Sequence, residues 1–361
     1  MNPLPERLAY VLNIFPKLSE TFITGELAEL RRRGVELRIL SLLPPRDELH
    51  HELVSRAGLD QLVCYEPERF SSVVREFQPQ LLHAHFAREA TAEARRLATE
   101  HQLPFTFTAH GYDIYRKAPA DFAARAAAAR AVVTVSEANA AYIAATFSVP
   151  RETIQIIPCG VATDTFQPGP PVMRATPPVI LCVARHVAVK NLGQLLDACA
   201  ELRRRGLVFQ CMMIGDGPLH EDLKTQRAVL GLQEIVTMPG AAEQGEVLKW
   251  WQRASIGVLS SHSEGMPVSL MEAAACGVPV VAPAVGGIPE LVRDGETGLL
   301  AKPGDVASLA SKLEQLLRDE PLRRQMSEAA RKRAVEKFSV RNQVEQLLAL
   351  WSGVLSGGVG R

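Results

Sequence analysis

SHSEGMPVSL MEAAACGVPV VAPAVGGIPE LVRDGETGLL, residues 261–300, is the stretch from which the rest of the chain can be read. An apolar run ends at Ser261, and a loop carrying Glu264, Gly265 and Met266 leads to Pro267. Proline lacks the amide hydrogen that a first helical turn leaves unpaired anyway, so the spacing predicts a helix over residues 267–276. The amides of Val268, Ser269 and Leu270 are then free to hold an anionic phosphate. Glu272 follows Glu264 by eight positions, so two carboxylates flank that helix start. A carboxylate grips hydroxyls with both oxygens, which suits one to a sugar and the other to a ribose. Taken alone, the string also fits a capping loop with a surface glutamate on an ordinary helix.

Outward from this stretch, strands are expected over residues 179–184, 209–215, 235–238, 256–261 and 278–283. Helices fit 191–205, 218–231, 244–254 and 305–318, and a helical block over 321–354 breaks near 338–339. Strand and helix in alternation imply a parallel doubly wound sheet, with ligands at the carboxyl ends of its strands. Arg185 stands just past the first of these strands and Lys190 five residues on. Two cations there can neutralise a diphosphate, although two basic residues on a loop are by themselves ordinary solvated surface.

Residues 167–178 read QPGPPVMRATPP, with five prolines in twelve positions. Such a segment forms neither a helix nor a central strand. It is expected to link two domains, 1–168 and 169–339. Before it the alternation also holds, with strands at 8–15, 35–43, 81–86, 105–109, 131–135 and 154–157 and helices at 19–33, 88–100, 121–130 and 137–147. The expected fold is therefore α/β, with two Rossmann-like doubly wound parallel-sheet domains and a ligand cleft between them. His83 and His85 share one face of a strand, and with His110 they raise a metal site, weighed against a satisfied core histidine at His83.

The 261–300 stretch resembles the E-x7-E motif of retaining family-4 glycosyltransferases of GT-B fold, with the G-x-P-V-V and G-G-x-x-E-x-V elements that follow it. The resemblance runs from Leu8 to about Val354. It implies that Glu264 binds the sugar, that Glu272 binds the nucleotide, and that Gly265 to Leu270 form the donor phosphate loop. The family's G-R-x-x-x-x-K-G reads here A-R-H-V-A-V-K-N: Arg185 and Lys190 match as diphosphate ligands, while Ala184 and Asn191 replace two glycines and blur the expected loop. His110, in F-T-A-H-G-Y-D, is implied beside the anomeric carbon with its carbonyl toward developing positive charge, and Asp113 takes a polar role in the same turn. Gly215, in I-G-D-G-P, is implied near the nucleotide and Gly240 beside the base. V-S-E-A-N at 135–139 matches S-x-x-N, whereas Ala162 stands where an aspartate is usual. F-P-K-L-S-E-T-F-I at 15–23 resembles the subgroup that makes bacterial exopolysaccharides of the colanic-acid type. Ser19, Glu20 and Thr21 then face acceptor and phosphate, with His85 as a structural or acceptor-side residue. The last helix is expected to cross back onto the N-terminal domain.

Forty basic and forty acidic residues give zero formal charge, which argues against a nucleic-acid partner. Six cysteines form no C-x-x-C pair and read as buried reduced thiols, hence a cytoplasmic compartment. No signal-peptide core or membrane-length apolar run is evident. Lys17, Arg31–Arg33, Arg46 and Arg116–Lys117 could turn a basic face to anionic lipid, with a plain solvated surface as the equal reading.

No D-x-D motif is seen, so no metal and no cofactor is expected, the two cations standing in for a divalent ion. The implied reaction moves a sugar from a nucleotide-diphosphate donor, UDP- or GDP-linked, to a glycan or polyprenyl-diphosphate acceptor with retained configuration. A dehydrogenase is disfavoured, because no glycine-rich fingerprint follows the first strand. An epimerase of the same fold and a non-catalytic nucleotide-sugar-binding module remain as alternatives.

Overall fold

Strand β1 (Arg7–Ile14) is buried over its middle five residues, Leu8 to Leu12, as a strand covered on both faces must be. Alternate residues serve opposite faces: Ala9 and Val11 join one core cluster, and Leu8, Tyr10 and Leu12 join the other. Around β1 stand β2 (Glu36–Leu43), β3 (Val63–Cys64), β4 (Leu81–His85), β5 (Phe105–Ala109), β6 (Ala131–Thr134) and β7 (Ile154–Ile156). They form one parallel sheet in the order β3-β2-β1-β4-β5-β6-β7. A second parallel sheet holds β8 (Val179–Val183), β9 (Gln210–Ile214), β10 (Val236–Gly240), β11 (Ile256–Val258), β12 (Val280–Pro283) and β13 (Gly298–Ala301), in the order β10-β9-β8-β11-β12-β13. The computed structural model describes residues 4–46, 52–170 and 175–357.

The chain divides into two compact units, one ending at Gly160 and resuming at Val340, the other being Val161–Ser339. The division falls at Gly160–Val161, ahead of the proline-rich stretch expected to carry it. Val161 donates its amide to Phe338 at 2.8 Å and bridges Ser339, and Arg331 donates to the carbonyls of Thr163 and Phe166. Those bonds tie the segment after Gly160 to the second unit. Residues 171–174 of the proline-rich stretch lie outside the described residues.

In the first unit the helix Val340–Leu355 lies on the helix Thr21–Arg32 and buries Val344, Leu347, Leu348 and Trp351 beside Leu27 and Leu30. Each such fully buried side chain contributes about 1.5–3 kcal/mol. Strands β3 and β13 were not anticipated, since a two-residue and a four-residue apolar run carry no readable period.

Part of the basic face considered for lipid is paired within the protein. Arg32 and Arg33 pair with Glu29, Lys17 pairs with Glu20, and Arg31 donates to the carbonyls of Ala57 and Gly58. No helix among the described residues is long and apolar enough to cross a membrane. All six cysteines are free thiols, five of them buried and Cys64 half-buried.

Candidate active site

In the second sheet the chain runs from β8 outward to β9 on one side and later returns to β11 on the other. The loops leaving β8 and β11 therefore diverge at their carboxyl ends, which is where an open α/β sheet binds ligands. The β8 loop carries Arg185 and Lys190, and the β11 loop carries Glu264. Topology alone brings Lys190 and Glu264 together across more than seventy positions of sequence.

The β8 loop is held by backbone contacts. His186 donates its amide to Asp216 at 2.8 Å, and Ala184 donates to Ile214 at 3.0 Å. Gly215, at φ +138°, lies so close that a Cβ there would sit 1.9 Å from the Ala184 oxygen. A glycine is therefore obligatory at 215, next to the candidate nucleotide position. Gly215 in turn donates to the Gly240 carbonyl at 2.8 Å.

The two departures from the family pattern in this loop are accommodated. Asn191 adopts φ +48°, ψ +44°, the left-handed region that asparagine tolerates better than other side-chain-bearing residues. It keeps the turn a glycine would make. Ala184 is not in that region, so its methyl group costs nothing. The blurred loop expected from Ala184 and Asn191 is thus corrected.

Ser260 pins the loop's end by donating to the carbonyls of Lys190 and Asn191 at 3.1 and 2.9 Å. His262 donates its amide to Val189 at 2.8 Å. These bonds set Lys190 beside Glu264, with Nζ to Oε1 at 2.5 Å and both side chains mostly buried. Ser261 Oγ donates to the same Glu264 oxygen at 2.6 Å. The backbone of Glu264 is seated by the Gly-Gly pair: Gly287 donates to its carbonyl at 3.2 Å, and a Cβ on Gly286, at φ +51°, would lie 1.9 Å from that oxygen. Arg185 is exposed, and its guanidinium has no hydrogen-bond or ion-pair partner among the described residues.

The helix Val268–Ala275 begins after Pro267, and no acidic side chain occupies its first turn. Glu264, Gly265 and Met266 precede it in the loop; Ser269 and Leu270 lie in its first turn. Glu272 points inward instead of along the loop. It is 6% exposed and takes the Trp251 indole on Oε2 at 3.4 Å, and burial pushes its carboxyl up to about 7 against that hydrogen bond. A nucleotide hydroxyl would meet a carboxyl already engaged by Trp251, a narrower role than the free bidentate ligand the sequence suggested.

In the first unit His110 caps the helix Gly111–Tyr115 at the carboxyl end of β5. Asp113 accepts the His110 amide at 2.8 Å on Oδ1 and the Ala87 amide at 2.6 Å on Oδ2, and the His110 ring accepts the Asp113 amide in return. Asp113 is wholly buried, which pushes its carboxyl up to about 7 although backbone amides pull it down. Both oxygens serve the backbone, so Asp113 shapes the turn and does not face an acceptor. His85 is likewise internal: it is 1% exposed and holds His110 Nε2 at 3.1 Å and Glu26 Oε1 at 3.2 Å. His85 thus takes the structural one of its two readings, and Asp113 fills the polar role in its turn. Ser19 is exposed, while Glu20 is held by Lys17 and half-buried Thr21 opens the first helix.

Sequence reasoning missed Glu26. It is fully buried and accepts from Tyr10 Oη at 2.6 Å and Gln343 Nε2 at 2.6 Å as well as meeting His85. The signal was available, because Glu26 stands on the apolar stripe of its helix with Ile23, Leu27 and Leu30. Among the described residues, Glu26, His83 and His85 form the group whose ligand-type atoms all lie within 4.8 Å of one another. The nitrogens of His83 already meet Thr106 and Thr108 hydroxyls at 2.8 and 3.1 Å.

Known proteins resemble this chain over both of its units. Residues 19–165 match the model of Glycosyltransferase Family 4, and residues 165–333 that of Glycosyl transferases group 1. WcaL of Escherichia coli K12, a protein named for colanic acid biosynthesis, is 37% identical over 170 residues, 45% of this chain and 42% of WcaL. The amylovoran biosynthesis glycosyltransferase AmsK of Erwinia amylovora is 36% identical over 177 residues, 47% of this chain and 44% of AmsK. The matches thus span less than half of each of these relatives. The crystal structure of Anabaena HepE in complex with UDP-glucose superposes with a TM-score of 0.80 at 18% identity, covering 95% of this chain and 99% of HepE. That likeness identifies the GT-B fold.

Proposed function

This chain belongs to the family-4 glycosyltransferases of GT-B fold, related to those of exopolysaccharide assembly, and we propose that it moves a sugar from a nucleoside-diphosphate donor to a glycan or polyprenyl-diphosphate-linked acceptor with retention of anomeric configuration. The observation that carries the reading is the meeting of Lys190 and Glu264 at the end of β8 and β11, beside the start of the helix Val268–Ala275. Breaking the anomeric bond leaves negative charge on a diphosphate and positive charge on the sugar ring. Lys190, the exposed Arg185 and the amides of Val268 and Ser269 would stabilise the first, the Leu270 amide being taken instead by the Pro267 carbonyl at 3.1 Å, and preorganised donors of this kind lower a barrier because they need no rearrangement. Glu264, held by Lys190 and Ser261, would receive the sugar hydroxyls.

His110 is proposed to offer its backbone to the sugar, with Ser19 and Thr21 on the acceptor side. HepE has been solved with UDP-glucose, which makes a uridine diphosphate sugar the first donor to try. The leaving phosphate would take the acceptor's proton on the same face, so no separate base is required. The cations would do the work of a divalent metal.

The test is calorimetry and transfer with UDP-, GDP- and ADP-sugars against a panel of glycan and lipid-linked acceptors, with the new linkage read by NMR. Binding and transfer with retention, unaffected by EDTA, is expected. Binding of NAD(P) alone would overturn the class, an inverted linkage would overturn the stereochemistry, and loss of rate in EDTA would overturn the cation assignment.

A further inference from the structure

In the first unit a line of buried side chains joins the backbone of Gly160 to the ring of His110. Gly160 donates its amide to Gln343 Oε1 at 2.7 Å, and Gln343 Nε2 donates to Glu26 Oε2 at 2.6 Å. Glu26 Oε1 takes the Tyr10 hydroxyl at 2.6 Å and stands 3.2 Å from His85 Nε2. His85 Nδ1 stands 3.1 Å from His110 Nε2. Glu26, His85, His110 and Gln343 are all under 9% exposed.

Hydrogen-bond chemistry gives this line a single direction. An amide N–H only donates, so the Gln343 oxygen faces Gly160 and its NH2 faces Glu26. Glu26 receives that NH2 on one oxygen and the Tyr10 hydroxyl on the other, so it is the acceptor and His85 Nε2 carries the hydrogen. With His85 neutral, its imidazole has one N–H, which leaves Nδ1 to accept and His110 Nε2 to donate. The capping box at the far end agrees with this assignment. The His110 ring accepts the Asp113 amide in the capping box, so only its other nitrogen can bear hydrogen. Burial of the His110 ring beside His85 also holds its proton affinity well below the usual histidine range, in keeping with a neutral ring. Phe22 and Phe86 pack on that ring with centroids 4.9 and 4.6 Å away.

We propose that Glu26, His85 and Gln343 are positioning residues whose one-way hydrogen-bond line fixes His110 in its Nε2–H form and so sets the turn that presents its backbone to the donor sugar. The inference rests on the reading of His110 as a sugar-facing residue. Both ring nitrogens are consumed within the protein, so the His110 ring is neither acid nor base in the transfer.

The line can be broken and rebuilt without changing shape. In Glu26→Gln one carboxylate oxygen becomes an NH2. Directed at Gln343 it opposes another NH2, and Gln343 cannot turn over without opposing the Gly160 amide. Directed at His85 it reverses that ring, and then His110, against the Asp113 amide. In the double variant Glu26→Gln with Gln343→Glu, the carboxylate at 343 accepts from Gly160 and from the new amide, and the amide oxygen at 26 accepts from Tyr10 and His85. Every donor again meets an acceptor.

The experiment is 15N NMR of the histidine ring nitrogens at pH 7 in the full chain, with sugar transfer measured alongside. The wild type should show Nε2–H at both His85 and His110. Glu26→Gln should lose that pattern at His110 and lower kcat about 10²-fold with little change in donor KM, as a displaced reacting geometry does. The double variant should regain both the ring pattern and most of kcat. A wild-type His110 protonated on Nδ1 would overturn the proposal. So would a Glu26→Gln protein with wild-type rings and kcat, or a folded double variant that regains neither. A wild-type protein that transfers no sugar would sink the transferase reading instead, while its ring nitrogens would still decide the direction of the line.

Discussion

Lys190 Nζ stands 2.5 Å from Glu264 Oε1, and this contact joins the loop that leaves β8 to the loop that leaves β11. The lysine's charge is therefore shared with a carboxylate. A donor diphosphate would enter beside a formed ion pair, with the unpaired Arg185 as the additional cation.

That arrangement separates the two cations experimentally. Arg185→Ala removes an exposed side chain and should leave the melting temperature unchanged, since surface substitutions fall within about 0.5 kcal/mol. Lys190→Ala leaves a mostly buried carboxylate without its cation and should cost about 1–3 kcal/mol of stability. Each should lower turnover by about 10²–10³, the scale for one preorganised charge-stabilising group. Steady-state kinetics and thermal melts on the two variants check this, and wild-type rates in both would remove the phosphate site.

Gly286→Ala places a methyl group 1.9 Å from the Glu264 carbonyl at a residue with φ +51°. The left-handed conformation alone costs about 1–2 kcal/mol, and the overlap adds to it. The expected result is a loss of at least about 2 kcal/mol in urea unfolding together with weakened sugar-nucleotide affinity, because Glu264 must shift.

Asn191→Gly should be nearly silent in donor affinity and turnover, since both residues accept φ +48°. Asn191→Val should cost about 1–2 kcal/mol, as a β-branched side chain resists that region. Calorimetry of nucleotide binding on the pair tests whether the family's glycine and this asparagine make the same turn.

Glu272 gives a pH signature. Burial raises its carboxyl from an ordinary 4.5 to about 7, so between those values the folded protein holds a proton that the unfolded chain has released. Stability from this group is complete below about pH 4.5 and is lost as pH rises through about 7. Glu272→Gln, which can still accept from Trp251, should therefore gain stability over wild type between pH 5 and 8, by at most about 3 kcal/mol. Melting temperatures across that range check it, and a pH-independent difference would refute the buried-carboxyl account.

The amino-acid sequence by itself determined the α/β alternation, the two-unit organisation and the residue types at the candidate donor site. Those features are local: strand and helix periods, a proline before a helix, cations after a strand and two glutamates eight apart all lie within short windows. Only the tertiary structure decided which of those residues meet. The strand order set Lys190 against Glu264, since sheet neighbours need not be sequence neighbours. It turned Glu272 toward Trp251 and Asp113 onto backbone amides, because burial obliges a carboxyl to find donors that no motif names. It also exposed Glu26 as the centre of a hydrogen-bond line that reaches Gln343 near the end of the chain, a partnership over 317 positions that no short window of sequence could contain.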